Sequence, residues 1–220
     1  TATITGTGTK TLSTGNNSFD VVVKAQDGTT INTYTINVKR LSNDALLKSL
    51  SVTSNPSGSL VPSFASGTVE YTYTVGPNVT EVNIEGVANA TTSTVTGNGT
   101  YNPQEVSEVV LTVKAEDGTE KNYTVNLVRT KSTDNTLKAL SVEGYTMNPA
   151  FSANTTSYTL TVPSTVTSVN VIAEANDTLA TVTGDGNKTL SIGSNTATVK
   201  VKAESGAEKT YTITITRKNN

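Results

Sequence analysis

The 220-residue chain has no cysteine, histidine or tryptophan and one methionine. Without cysteine there are no disulfides and no thiolate chemistry. An extracellular setting stays open, because a chain with full-sized cores can do without staples. Without histidine and cysteine, the Ser-His-Asp and Cys-His arrangements and the usual zinc ligands are excluded. Without tryptophan, a sugar site loses the flat ring it most often uses. No apolar run approaches the ~20 residues needed to span a bilayer, and no charged-then-apolar leader opens the chain. Thr1 is not an initiator residue, so the expectation is a mature fragment or a cut from a longer protein. A net charge of −2, spread along the chain, gives no electrostatic reason to expect nucleic acid or an anionic membrane as partner.

What is abundant is threonine, at 44 of 220 residues. That composition would suit a disordered stalk, but hydrophobic residues reach 34% and alternate regularly, which favours folding. Repetition is the dominant signal. "VKAQDGTTINTYTINVKR" (23–40), "VKAEDGTEKNYTVNLVR" (113–129) and "VKAESGAEKTYTITITR" (201–217) are three versions of one segment. Upstream, "LLKSLSV" (46–52) matches "TLKALSV" (136–142), and "PSFASGTVEYTYTV" (62–75) matches "PAFSANTTSYTLTV" (149–162). A glycine link occurs three times, as "ATITGTGTKTL", "STVTGNGTYN" and "ATVTGDGNKTL". Two repeats are complete, 46–129 and 136–217, and residues 1–40 form the second half of another.

Within each repeat the period is two. In "YTITIT", Tyr211, Ile213 and Ile215 share one face, with threonines on the other. Tyr123, Val125 and Leu127, and Tyr34, Ile36 and Val38, do the same. This is the pattern of half-buried strands. Asp27-Gly28, Asp117-Gly118 and Ser205-Gly206 predict tight hairpin turns with a residue at positive φ. About seven short strands per repeat, with no helical periodicity, predict an all-β chain of tandem immunoglobulin-like β-sandwiches. The joints "LSNDA" (41–45) and "TKSTDN" (130–135) are too short for a flexible tether and predict sandwiches arranged end to end.

The opening "LxxLSV", the "P-x-F" followed by "Y-T-x-T-V", and the closing "V-K-A-E-D-G-T…Y-T-V-x-x-x-R" resemble the cadherin-like β-sandwich domain of bacterial surface and secreted proteins. The resemblance covers nearly the whole chain. It implies an extracellular, bacterial-surface location and a non-catalytic spacer or stalk role, with neighbouring domains of the same polypeptide to present or anchor. Its alternative implication is an adhesion or carbohydrate-binding module that meets polysaccharide or cell wall. No metal is expected: calcium needs six to eight oxygens, and each joint offers one aspartate, Asp44 or Asp134, placed to cap a turn. No cofactor is expected either.

Enzymatic routes are thin. Glu81 and Glu85 fall four apart on a predicted strand, about 13 Å by strand rise, beyond either glycosidase spacing. Glu105 and Glu108 have no nameable partner. Lys24, Lys114, Lys200 and Lys202 face outward, where a solvated lysine is a poor nucleophile. Tyr34, Tyr71, Tyr123, Tyr158 and Tyr211 occupy repeated positions and, with Tyr73, read as core or strand-end packing. Tyr101 and Tyr145, outside the repeat pattern, are the two candidate sugar platforms, set against the plainer reading of loop residues packed on their own turns. Residues 1–40 would leave Phe19, Val21, Val23, Tyr34, Ile36 and Val38 uncovered, and open edges favour strand pairing there. The plainer reading is a repeat cut from a longer array, which docks, frays or swaps, and the sharper one is a half completed by a partner.

Overall fold

The computed structural model describes residues 1–219. All regular structure among them is β, in eighteen strands. Residues 1–40 hold β1 (Thr3–Thr5), β2 (Gly15–Lys24) and β3 (Ile31–Arg40), joined in one antiparallel sheet in that order. Next come β4 (Leu47–Ser54), β5 (Ser59–Val61), β6 (Glu70–Val75), β7 (Val82–Ala88), β8 (Thr94–Thr96), β9 (Gly99–Tyr101), β10 (Glu108–Lys114) and β11 (Glu120–Arg129). They form a sandwich of a β4-β7-β9 sheet and a β5-β6-β11-β10-β8 sheet. The last repeat comprises β12 (Leu137–Val142), β13 (Ser157–Val162), β14 (Ser168–Ala175), β15 (Thr181–Thr183), β16 (Gly186–Thr189), β17 (Gly193–Lys202) and β18 (Glu208–Arg217). Its sheets run β12-β14-β16 and β13-β18-β17-β15. By compactness, residues 1–75 and 79–129 make one unit, and 76–78 with 130–219 the other.

The alternation read from the sequence is the register observed. The β10–β11 hairpin sets Leu111 opposite Tyr123 and Val109 opposite Val125, and β17–β18 sets Val199 opposite Tyr211 and Ala197 opposite Ile213. These inward sets lie in the two cores, each side chain contributing roughly 1.5–3 kcal/mol by leaving water if large and apolar. Tyr123, Val125 and Leu127 are at most 4% exposed, and Tyr211, Ile213 and Ile215 are fully buried. The hairpin turn differs from the tightest form that Asp-Gly allows. Among the described residues no non-glycine has positive φ, which rules out a two-residue type I′ turn with Asp117 in the left-handed region. Instead the Gly118 amide donates to the Ala115 carbonyl at 3.0 Å and the Ala115 amide to Thr119 at 2.8 Å, with Gly118 at φ 94° in the bulge position.

The glycine link has a steric cause. A Cβ on Gly97 would lie 2.3 Å from the Val110 carbonyl oxygen, on Gly6 2.0 Å from that of Asp20, and on Gly184 2.1 Å from that of Thr198. The chain there lies directly on the backbone of the neighbouring strand, as a residue without a side chain permits.

Of the two expectations that touch Tyr34, core packing fails and the uncovered face is observed: Tyr34 is 59% exposed and Ile36 51% exposed. Residues 1–40 contribute only one sheet, so nothing lies over the face that a second sheet covers in the complete repeats.

Candidate functional site

Three features are built from repeated or singular residues: the joints, the two tyrosines outside the repeat pattern and the open face of residues 1–40.

Each joint is tied to the repeat that follows it. The Ser42 amide donates to Glu116 Oε2 at 3.2 Å, and the Asp117 amide donates to the Ser42 carbonyl at 3.0 Å. The next joint repeats this, with the Ser132 amide on Glu204 Oε2 at 3.0 Å and the Ser205 amide on the Ser132 carbonyl at 2.9 Å. Lys39 forms an ion pair with Glu116. That ion pair, accepted by hydrogen bond, and then the Ser42 amide hold the Glu116 carboxyl below its ordinary pKa.

Asp44 and Asp134 take the capping role read from the sequence. Asp44 Oδ1 accepts the Leu46 amide at 3.0 Å and its Oδ2 accepts Asn89 Nδ2 at 2.6 Å. Asp134 Oδ1 accepts the Thr136 amide at 2.9 Å and Oδ2 accepts Asn176 Nδ2 at 2.7 Å. The Asn89 side chain first, then the Leu46 amide, lowers the pKa of Asp44; the Thr136 hydroxyl first, then Asn176, lowers that of Asp134. Both oxygens of each carboxylate are therefore engaged within the fold. Sequence reasoning found the aspartates but missed Glu116, Glu204 and the two serines. The signal was present as a shared S-x-D in the joints and a shared A-E before the turn glycine.

Tyr101 and Tyr145 belong to different repeats, and each packs against its own core. Tyr101 ends β9 opposite Val82, half-buried, and its hydroxyl donates to the Gly97 carbonyl at 2.6 Å. Tyr145, also half-buried, donates its amide to Val142 at 3.0 Å in a short bridge. Beside Tyr101, its neighbour Thr100 lines an open polar groove of about 530 Å³ with Thr53, Ser54, Asn55, Thr80, Glu81 and Asn83. Among the described residues, no group of three or more histidine, cysteine or acidic side chains is placed to hold a metal, and no helix is long and apolar enough to cross a membrane. Lys114 and Lys200, outward as expected, pair with Glu120 and Glu208 at 3.0 Å each.

The two core tyrosines of the last strands tie the halves of each sandwich together. Tyr123 Oη accepts the Leu47 amide at 3.1 Å and donates to the Ser66 carbonyl at 2.9 Å. Tyr211 Oη accepts the Leu137 amide at 3.1 Å and donates to the Ala153 carbonyl at 2.8 Å. Tyr34, the third member of the set, has no such bond among the described residues.

No curated protein matches the chain. Among solved structures it is similar to the extracellular domain of protocadherin GammaB4, at 12% identity and a TM-score of 0.31, over 93% of this chain and 37% of that one. It is also similar to the human desmocollin-1 ectodomain, at 10% identity and a TM-score of 0.25, over 94% of this chain and 47% of that one. The chain thus spans less than half of either, and likenesses of this size carry no argument. The family model of the cadherin-like beta sandwich domain matches residues 1–41, 47–130 and 137–218. Repeat, register and family model agree: the chain belongs to the cadherin-like β-sandwich domain family, whose domains are extracellular adhesion or structural modules.

Proposed function

We propose that this chain is a non-catalytic structural segment of a bacterial cell-surface or secreted protein, which presents or anchors neighbouring domains of the same polypeptide. The observation that supports this reading is the repeated tie at the joints. Ser42 and Ser132 are each held on the following hairpin by one bond given and one received, and an aspartate caps the turn beside them. A joint of five or six residues held in this way is part of the repeat that follows it rather than a free tether. Linkers built into the repeats suit a chain of spacers more than a single binding module. The outward threonines of the complete repeats keep the outer faces of their strands polar.

Two measurements on the 1–220 chain test the reading. Limited proteolysis should leave both joints uncut, and Glu116→Ala with Glu204→Ala should open them to cleavage. Joints cut readily in the unsubstituted chain, or cut no faster after the double substitution, would sink the spacer reading. In parallel, the chain is mixed with insoluble polysaccharides and purified bacterial wall. Retention abolished by Tyr101→Ala or Tyr145→Ala would transfer the function to carbohydrate binding at that tyrosine.

A further inference from the structure

The outer faces of the two three-stranded sheets in the complete repeats differ at one row of residues. In the middle repeat the row is Thr53, Asn83 and Thr100, set opposite one another on β4, β7 and β9. In the last repeat the matching residues are Glu143, Asn170 and Asn187. There the asparagine is engaged. Asn170 Nδ2 donates to Glu143 Oε2 at 3.1 Å, and the Glu143 amide donates to the Asn170 carbonyl at 3.0 Å. Thr53 has no carboxylate to offer. Asn83 Oδ1 accepts the Thr100 hydroxyl at 3.4 Å, while its Nδ2 has no partner among the described residues.

Where Glu143 closes on Asn170 in one repeat, the other has a groove. It holds about 530 Å³, and every side chain that lines it belongs to threonine, serine, asparagine or glutamate. Glu81 lies two positions before Asn83, about 7 Å by strand rise, and both are exposed while Val82 between them is buried. The Glu81 carboxylate has no ion pair or hydrogen bond among the described residues. The last repeat has Ser168 in its place. Tyr101 takes no part in this face, because its side chain packs against the core.

The lining selects by chemistry. A phosphate or sulfate would meet a carboxylate and no cation. An apolar peptide would find no apolar side chain to receive it. A divalent cation of the calcium type wants six or more oxygens, several of them charged, and would find one carboxylate. What the groove offers is an unengaged amide donor, a carboxylate that accepts at two oxygens, and threonine hydroxyls that donate or accept. Adjacent hydroxyls of a sugar ring match that set. A pair of them donates to the two oxygens of Glu81, and another accepts from Asn83 Nδ2. The volume falls in the range of small-ligand sites.

We propose that the outer face of β4, β7 and β9 is a binding site for an uncharged oligosaccharide, recognised by Glu81 and Asn83 with Thr53 and Thr100 beside them. The site adds a function to the spacer and does not rest on the spacer reading. Exposed hydrogen bonds replace bonds to water, so a single site binds weakly and the assay works at millimolar sugar.

The isotope-labelled 1–220 chain is titrated with cellotetraose, maltotetraose and triacetylchitotriose, and with trigalacturonic acid as a charged control, while NMR follows its amides. At least one neutral sugar should give saturable shifts at the Asn83 side-chain amide and at the Thr53 and Thr100 backbone amides. Trigalacturonic acid should bind about tenfold more weakly or worse, because its carboxylates meet that of Glu81. Thr53→Glu rebuilds at an exposed position the arrangement that Glu143 makes, and should weaken binding by about tenfold or more. Glu81→Gln should weaken it to a similar degree. No saturable shift from any of the three neutral sugars would overturn the proposal. So would unchanged binding in the Thr53→Glu and Glu81→Gln chains, or equal binding of the charged control.

Discussion

At the scale of single residues, the same tyrosine in three places has two physical roles. Tyr123 and Tyr211 bring a hydroxyl into the core, where it satisfies one amide and one carbonyl of the sandwich's first half. A lysine ammonium lies over each ring, 5.4 Å from the Tyr123 centroid and 5.3 Å from that of Tyr211, an attraction of ~0.5–1 kcal/mol at exposed sites. Tyr123→Phe keeps the ring and removes only the bonds, leaving the buried Leu47 amide without its partner. The expected loss is about 1–3 kcal/mol, read as a lowered denaturation midpoint of the middle repeat by circular dichroism. Tyr34→Phe, at the exposed position, should change stability by no more than about 0.5 kcal/mol. Equal effects at the two positions would mean that the hydroxyl ties nothing together. The three tyrosines share one repeat position, and a covering sheet separates them; the sequence shows this as the half-repeat that residues 1–40 lack, not through any residue near Tyr34.

At the scale of elements, the strands follow from alternation and the links from close approach. Gly97 and Gly118 both have positive φ, at 93° and 94°, but for different reasons. Gly97→Ala would drive a Cβ to 2.3 Å from a strand carbonyl, and backbone must move, at a cost of roughly 2–4 kcal/mol. At Gly118 no atom lies within 4 Å of the added carbon, so only the strain of the left-handed conformation remains, about 1–2 kcal/mol. Equilibrium unfolding of the two variants should rank them in that order, and the reverse ranking would show that the link is not sterically closed. Strand positions were legible because a period of two with threonine on one face has one reading. The hairpin geometry was less so: Asp-Gly suits both a two-residue turn and a bulged one, and the choice depends on pairing across Ala115–Thr119 rather than on the dipeptide. Tyr101 was read as outside the repeat pattern because "TYNPQE" interrupts it, yet β9 places this residue opposite Val82, a pairing that rests on strand contacts distant in sequence.

At the scale of the whole molecule, the all-β architecture was legible because each half-repeat is written two or three times and the copies correct one another's ambiguities. The ties at the joints were not. They join Ser42 to Glu116 across 74 positions; S-x-D and A-E each recur in the sequence, but nothing local pairs the one with the other. Protection should differ along the chain. Opening residues 1–40 exposes little apolar surface that is not already wet, whereas opening either sandwich exposes a full core. Native-state hydrogen exchange on the 1–220 chain should therefore find β2 and β3 exchanging well before β10–β11 and β17–β18. Uniform protection across all three hairpins would contradict the exposure of Tyr34 and Ile36.

The tie between Ser42 and the hairpin at Glu116–Asp117 also bears on how such modules can be transplanted. A graft cut at the first strand, Leu47, would leave behind the residues that the Glu116 carboxylate and the Asp117 amide hold, and both groups would meet an unrelated host sequence. A cassette that begins at Leu41 and ends at Arg129 carries its own hinge with it. Each exchangeable block is therefore a sandwich together with the linker before it, and chimeras built on that boundary keep the joint whichever neighbour precedes them.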